Sequence, residues 1–218
     1  MLLHAHYCEE TSRFDFETTR HLYSDICEAF PGCEKAHFRL AHYVDEARNQ
    51  SGNQHDVLLK VALENYGQAL ACGSQFIFQS MPRFLSLWLD YGAEVAKMQQ
   101  RQQQASATSI GRRGTNQKST DGNTLDTFNE VQNLIRQSLS KIPPFQFYTA
   151  IGQILSRVCH EHPAVIAILI DLIARIVLAH PQQTVWSVVS LHEDSSKTTV
   201  QVYPGKFCLR EIMLGSQI

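Results

Sequence analysis

The densest group of metal-ligating side chains in this sequence is Cys159-His160-Glu161-His162, and a second, His4-Ala5-His6, lies near its beginning. Thiolate, imidazole and carboxylate are the groups that hold zinc, but a structural zinc site takes about four of them at set spacings. No Cys-x-x-Cys pair occurs anywhere in the chain. The spacing therefore predicts a helix–helix turn at His160–His162 with histidine caps, and Cys159 on a buried stripe with Leu155. Nucleophilic catalysis finds no better footing, because no Gly-x-Ser-x-Gly elbow is present. Asp90, beside Trp88 and Tyr91, reads as the polar edge of an amphipathic helix. Gly111-Arg-Arg-Gly114 is not a phosphate loop, since no strand precedes it and no helix follows it directly. Phosphoryl transfer needs a metal-binding aspartate and a catalytic-loop base, and neither Asp-Phe-Gly nor His-Arg-Asp occurs. The expectation is a chain with no catalytic residue, no metal ligand and no cofactor-binding residue, and so not an enzyme by itself.

Composition narrows the partners. The 218 residues are 44% hydrophobic and carry a formal net charge of -2. That is no field for neutralising nucleic-acid phosphates, and Arg112-Arg113 sits in a polar linker, so no direct nucleic-acid contact is expected. Met1-Leu2-Leu3 runs at once into His4, His6, Glu9 and Glu10, which leaves no apolar core for a signal peptide. The apolar run Ala164–Ala179 falls short of the roughly 18–20 residues that cross a bilayer and carries Asp171 and Arg175, four apart on one helix face. It reads as a helix buried on most sides, and no membrane association is expected. Six cysteines (Cys8, Cys27, Cys33, Cys72, Cys159, Cys208) are scattered mostly through helical patterns and read as reduced, buried thiols.

The elements that would position any site are helices. Apolar spacing predicts helices over about 9–30, closed by Pro31-Gly32, then 34–49 and 56–71, the last ending at Cys72-Gly73. Ala36 and Ala41 are small enough to let a neighbouring helix approach. A further helix covers Ser80-Met-Pro-Arg-Phe-Leu-Ser-Leu-Trp-Leu-Asp-Tyr-Gly92, which Pro82 starts or kinks, and continues to about Gln103. The stretch 99–123 is rich in Gln, Ser, Thr and Gly and nearly without large apolar side chains, so it predicts a disordered polar linker. Helix resumes over 124–141, 145–160 and 163–179, and again near Pro181. Beyond Leu191 the helical pattern fails, and Lys197–Tyr203 alternates like a short strand. The fold class expected is all-α, an α-solenoid of antiparallel helix pairs of the tetratricopeptide or HEAT kind. It divides into helical repeats at 1–98, a linker at 99–123, helical repeats at 124–191 and an irregular tail at 192–218. Trp88 and Trp186 are the expected packing anchors.

Three blocks carry a resemblance: Gln75-Phe-Ile-Phe-Gln-Ser-Met-Pro-Arg-Phe-Leu-Ser-Leu-Trp-Leu-Asp-Tyr-Gly92, Pro144-Phe-Gln-Phe-Tyr-Thr-Ala-Ile-Gly-Gln-Ile-Leu-Ser-Arg-Val-Cys-His160 and Ala179-His-Pro-Gln-Gln-Thr-Val-Trp186. In this order, over about 9–189, the chain resembles the C-terminal part of the FAT domain of phosphatidylinositol 3-kinase-related protein kinases, and most closely their ATR-type branch. The resemblance implies a helical scaffold that wraps a serine/threonine kinase domain, an ATRIP-like partner, homodimerisation, nuclear localisation and a role in the DNA damage and replication checkpoint. It also implies that Ser-Gln and Thr-Gln sites are the parent's substrates; Ser74-Gln75 and Ser216-Gln217 carry little weight as such sites here. The kinase domain itself would be encoded elsewhere, making this chain a fragment whose unfinished last helix pair favours aggregation. The rival reading is a stand-alone tetratricopeptide-like adaptor for peptides, for which no clustered basic clamp is present.

Overall fold

The computed structural model describes residues 1–11, 13–50, 55–108 and 118–187. Among them all regular structure is helical: α1 (Leu2–Glu10), α2 (Phe16–Ala29), α3 (Glu34–Gln50), α4 (His55–Cys72), α5 (Ile77–Thr108), α6 (Lys118–Lys141), α7 (Pro144–Tyr148), α8 (Ile151–Ser156) and α9 (Pro163–Ala179), with further helical backbone at 181–187. The fold class is the expected one, all-α and of the α-solenoid kind. The tail at 192–218, including the strand pattern at 197–203, lies outside the described residues.

Two compact units are formed, Met1–Ile142 and Pro143–Ile218. In the first, α3 and α4 pack along each other most extensively, with α2 against α3 and both α5 and α6 against α4. Ala36, Leu40, Ala41 and Val44 from α3 and Leu59, Ala62, Leu63, Tyr66 and Leu70 from α4 are all buried. The small alanines allow the close approach anticipated for them. Phe38 stacks on Phe76 with ring centroids 4.6 Å apart, and the Phe76 backbone N–H donates to Glu34 Oε1 at 2.7 Å. Together these fasten the α4–α5 connection onto the first two turns of α3.

Several expected boundaries move. The helix anticipated over 9–30 is two helices, because the Thr11 hydroxyl bonds back to the Tyr7 carbonyl at 2.7 Å and Asp15 serves as the N-cap residue of α2, its carboxylate accepting from the Thr18 hydroxyl. Polar side chains that hydrogen-bond to nearby groups in this way compete with helix continuation. The polar stretch 99–123 is narrower than expected: α5 runs on to Thr108 and α6 starts at Lys118. Gln, Arg and Ala are good helix formers, and adding residues to an already packed helix is cheap compared with starting one. Nor does that stretch divide the molecule, since α6 packs on α4 and α5. Residues 109–117 lie outside the described ones.

In the second unit α7 and α8 each pack on α9. The expected helix over 145–160 is broken at Thr149–Ala150, where the Thr149 hydroxyl donates to the Gln146 carbonyl at 2.7 Å. Helix α9 buries Val165, Ile168, Leu169, Leu172, Ile173 and Ile176, a spacing of three and four residues that marks one face. It is buried along a stripe, not on most sides as expected; Ala167 and Asp171 are exposed. No helix among the described residues is long and apolar enough to cross a membrane.

Candidate functional site

The block from Ser80 to Gly92 forms the part of α5 where three other helices meet. Pro82 lies inside the helix, in its second turn. The ring lacks the N–H that the Phe78 carbonyl would accept, and the exposed side chain leaves the buried face free. That face carries Met81, Phe84, Leu85, Trp88 and Leu89, all fully buried. Trp88 Nε1–H donates to Gln132 Oε1 of α6 at 3.2 Å, which gives the indole's polar edge the partner a buried tryptophan requires. Tyr91 packs near Phe128 of α6, centroids 6.3 Å apart, and burial pushes its phenol up to about 12, so it stays neutral.

On the other flank Arg83 forks onto Asp45 of α3, with Nη2 donating to Oδ1 at 2.8 Å and Nε donating to Oδ2 at 2.5 Å. Asp45 is 5% exposed and also lies 3.6 Å from Arg48 Nε. The hydrogen bond from the guanidinium to the Asp45 carboxylate raises the Arg83 pKa against the opposing effect of burial. A bidentate arginine–carboxylate pair fixes direction as well as distance, so α3 and α5 are locked in register. Across the opposite face, Gly67 of α4 lets α6 come close: a Cβ there would stand 2.9 Å from Ser138 Cβ. Lys60 Nζ donates to Glu130 Oε2 at 2.7 Å across the same pair of helices. Beside this contact an open groove of about 320 Å³ is lined by residues including Glu64, Gln68, Glu130, Gln137 and Lys141. What this constellation does chemically is hold helices: Arg83 meets Asp45 and Trp88 meets Gln132, while the buried Tyr91 hydroxyl and Gln132 Nε2 have no hydrogen-bond partner among the described residues.

The histidine turn behaves as the spacing implied. His162 Nδ1 accepts from the Ala164 N–H at 3.2 Å and caps α9, and His160 Nδ1 accepts from the His162 N–H at 3.0 Å. Burial, and then His160, lowers the His162 pKa, in keeping with an acceptor nitrogen. Cys159 is not on the buried stripe: α8 ends at Ser156 and Cys159 is exposed, while Leu155 is buried. All five cysteines described are free thiols; only Cys8 and Cys27 are buried, and Cys33 and Cys72 are half-buried. Burial pushes the Cys27 thiol up to about 12. Cys208 and Ser216-Gln217 lie outside the described residues, whereas Ser74 is exposed ahead of α5. Trp88 is the anchor expected of it, but Trp186 is 74% exposed and anchors no core here. Sequence reasoning missed the Arg83–Asp45 fork and the Gly67–Ser138 approach, because each pairs residues 38 or more positions apart with no local signal.

Comparison with known proteins places this helical arrangement. A family model described as serine/threonine-protein kinase ATR-like, HEAT repeats, matches residues 130–213. Protein kinase rad3 of Schizosaccharomyces pombe is 30% identical over 195 residues, covering 84% of this chain and 8% of that protein. Serine/threonine-protein kinase ATR of Drosophila melanogaster is 28% identical over 203 residues, covering 89% of this chain and 7% of that protein. The Arabidopsis thaliana ATR kinase is 25% identical over 227 residues, covering 92% and 8%. No solved structure matches the chain significantly. The chain spans less than a tenth of the length of these curated relatives. Over most of its length it is similar to a short helical-repeat segment of ATR-type serine/threonine protein kinases.

Proposed function

We propose that this chain is a non-catalytic regulatory scaffold segment of an ATR-type serine/threonine protein kinase that acts in the DNA damage and replication checkpoint in the nucleus. Its work is mechanical: α3 to α6 form a stiff unit that braces a kinase domain lying elsewhere in the parent polypeptide. The single observation that carries the reading is the similarity to three ATR-type kinases along 84–92% of the chain. The Arg83–Asp45 fork and the Trp88–Gln132 bond support it, because they tie three helices together through groups that would otherwise be free for chemistry. We place the segment in the C-terminal part of the FAT domain. The matching family model is described by its HEAT repeats, so this placement rests on the Gln-Ser-Met-Pro-Arg, Pro-Phe-Gln-Phe and Pro-Gln-Gln-Thr-Val-Trp blocks. An ATRIP-like partner and self-association of the parent belong to the same proposal.

Lysine cross-linking of the purified parent polypeptide, read by mass spectrometry, tests the brace. Exposed Lys97 and Lys141 are expected to give cross-links into the kinase domain. Cross-links confined to the segment itself would remove the bracing role.

A further inference from the structure

Outside the packing core, Glu9 of α1 meets a histidine and a glutamate of α3. His6 and Glu9 are three apart on α1, and His42 and Glu46 four apart on α3, the two spacings that bring side chains together on one helix face. His6 Nδ1 lies 3.3 Å from Glu9 Oε2 and His42 Nδ1 lies 3.7 Å from Glu46 Oε1. Across the two helices, one ligand atom from each of Glu9, His42 and Glu46 lies within 4.8 Å of the others. Glu9 is also oriented from behind, because the fully buried Tyr23 of α2 donates its hydroxyl to Glu9 Oε2 at 2.5 Å. Two carboxylates thus converge from different helices, and among the described residues no lysine or arginine forms an ion pair with either of them.

We propose that Glu9, His42 and Glu46, with water in the remaining position, form a binding site for a divalent transition metal of the zinc class, which ties α1 to α3. The donor set, imidazole with carboxylate, suits zinc and its neighbours and does not suit the all-oxygen preference of calcium or magnesium. Zinc–ligand bonds of about 2.0–2.2 Å place ligand atoms of a tetrahedron about 3.3 Å apart. The present separation therefore closes chiefly by a rotamer change of Glu46, whose side chain is 61% exposed, while the His42 ring stays against Phe38. Glu9 needs no such change, since a hydrogen bond from an outer residue is how ligating carboxylates are held in orientation. The metal's role is structural: α1 is nine residues long, too short to be stable without tertiary support, and a shared ion adds a link to α3 beyond its packing on α2.

Calorimetric titration of the 218-residue chain with zinc ion, after removal of metals with chelator, tests the site. One saturable site is expected, with a Kd of about a micromolar or tighter, and Glu46→Gln and His42→Ala are each expected to weaken it at least about tenfold. Glu46 is exposed, so the melting midpoint of the metal-free Glu46→Gln chain stays the same, while the rise in midpoint caused by zinc is lost in both variants; His42 also packs against the Phe38 ring, centroids 5.9 Å apart, and its variant is read by affinity. Cobalt ion separates this site from the thiols: a visible band without sulfur charge-transfer absorption is expected. No saturable zinc binding, unchanged affinity in both variants, or a sulfur charge-transfer band would each overturn the proposal.

Discussion

At the scale of single residues, the two tryptophans separate core from surface. Trp88 is fully buried with its N–H bonded to Gln132, whereas Trp186 is 74% exposed. Trp88→Ala removes a large side chain from a packed interior and leaves the Gln132 carbonyl without its donor; a loss of about 3–5 kcal/mol is expected. Trp186→Ala is expected to change stability by no more than about 0.5 kcal/mol. Urea denaturation of the two variants checks both, and equal midpoints would contradict the assignment. The tryptophans stand alike in the sequence, each within an apolar helical pattern. What separates them is which side of the helix is covered, and that depends on neighbours far along the chain.

At the scale of elements, close helix contact and capping carry the argument. Gly67 lets α6 approach α4, and a Cβ at this position would stand 2.6 Å from Ser138 Oγ and 2.9 Å from Ser138 Cβ. Alanine is worth about 1 kcal/mol over glycine in an open helix interior, but here overpacking of about 1–3 kcal/mol opposes it. Gly67→Ala is therefore expected to destabilise, and Ser138→Gly in the same chain to restore part of the loss. A double-mutant cycle reads the coupling directly; additive effects would show that the two residues do not meet. The His162 cap makes α9 sensitive to pH. Its folded pKa lies below the ordinary value of 6.5, so the unfolded chain binds the proton more readily. The cap's contribution, about 1 kcal/mol, is fully present above about pH 6.5 and is lost as the pH falls from there through the folded pKa. Thermal melts at pH 7.5 and 5.5 are expected to show this loss in the native chain and a smaller one in His162→Asn, whose side-chain oxygen accepts the same bond without titrating. The cap itself was legible as a His-Glu-His-Pro turn ahead of an apolar run. The break at Thr149–Ala150 was not, because a hydroxyl bonding back to a carbonyl leaves no trace in hydrophobic spacing.

At the scale of the whole molecule, the all-α class was legible from apolar periodicity and from Pro31-Gly32 and Cys72-Gly73 as stops. The extent of α5 was not, because the polar residues 100–104 form helix while exposed. In the sequence His6 stands out only beside His4, and His42 and Glu46 do not stand out, because only the fold brings Glu9 of α1 to them. Under the proposed function, this helical unit sets the activity of a kinase domain elsewhere in the parent polypeptide. The most direct test is the phosphotransfer rate of the purified parent kinase toward a Ser-Gln peptide, comparing the native polypeptide with one carrying Asp45→Ala in this segment. Losing the fork onto Arg83 loosens α3 from α5, so kcat is expected to fall severalfold while the KM values for ATP and peptide hold. An unchanged kcat, with the segment's own melting midpoint lowered, would contradict the account.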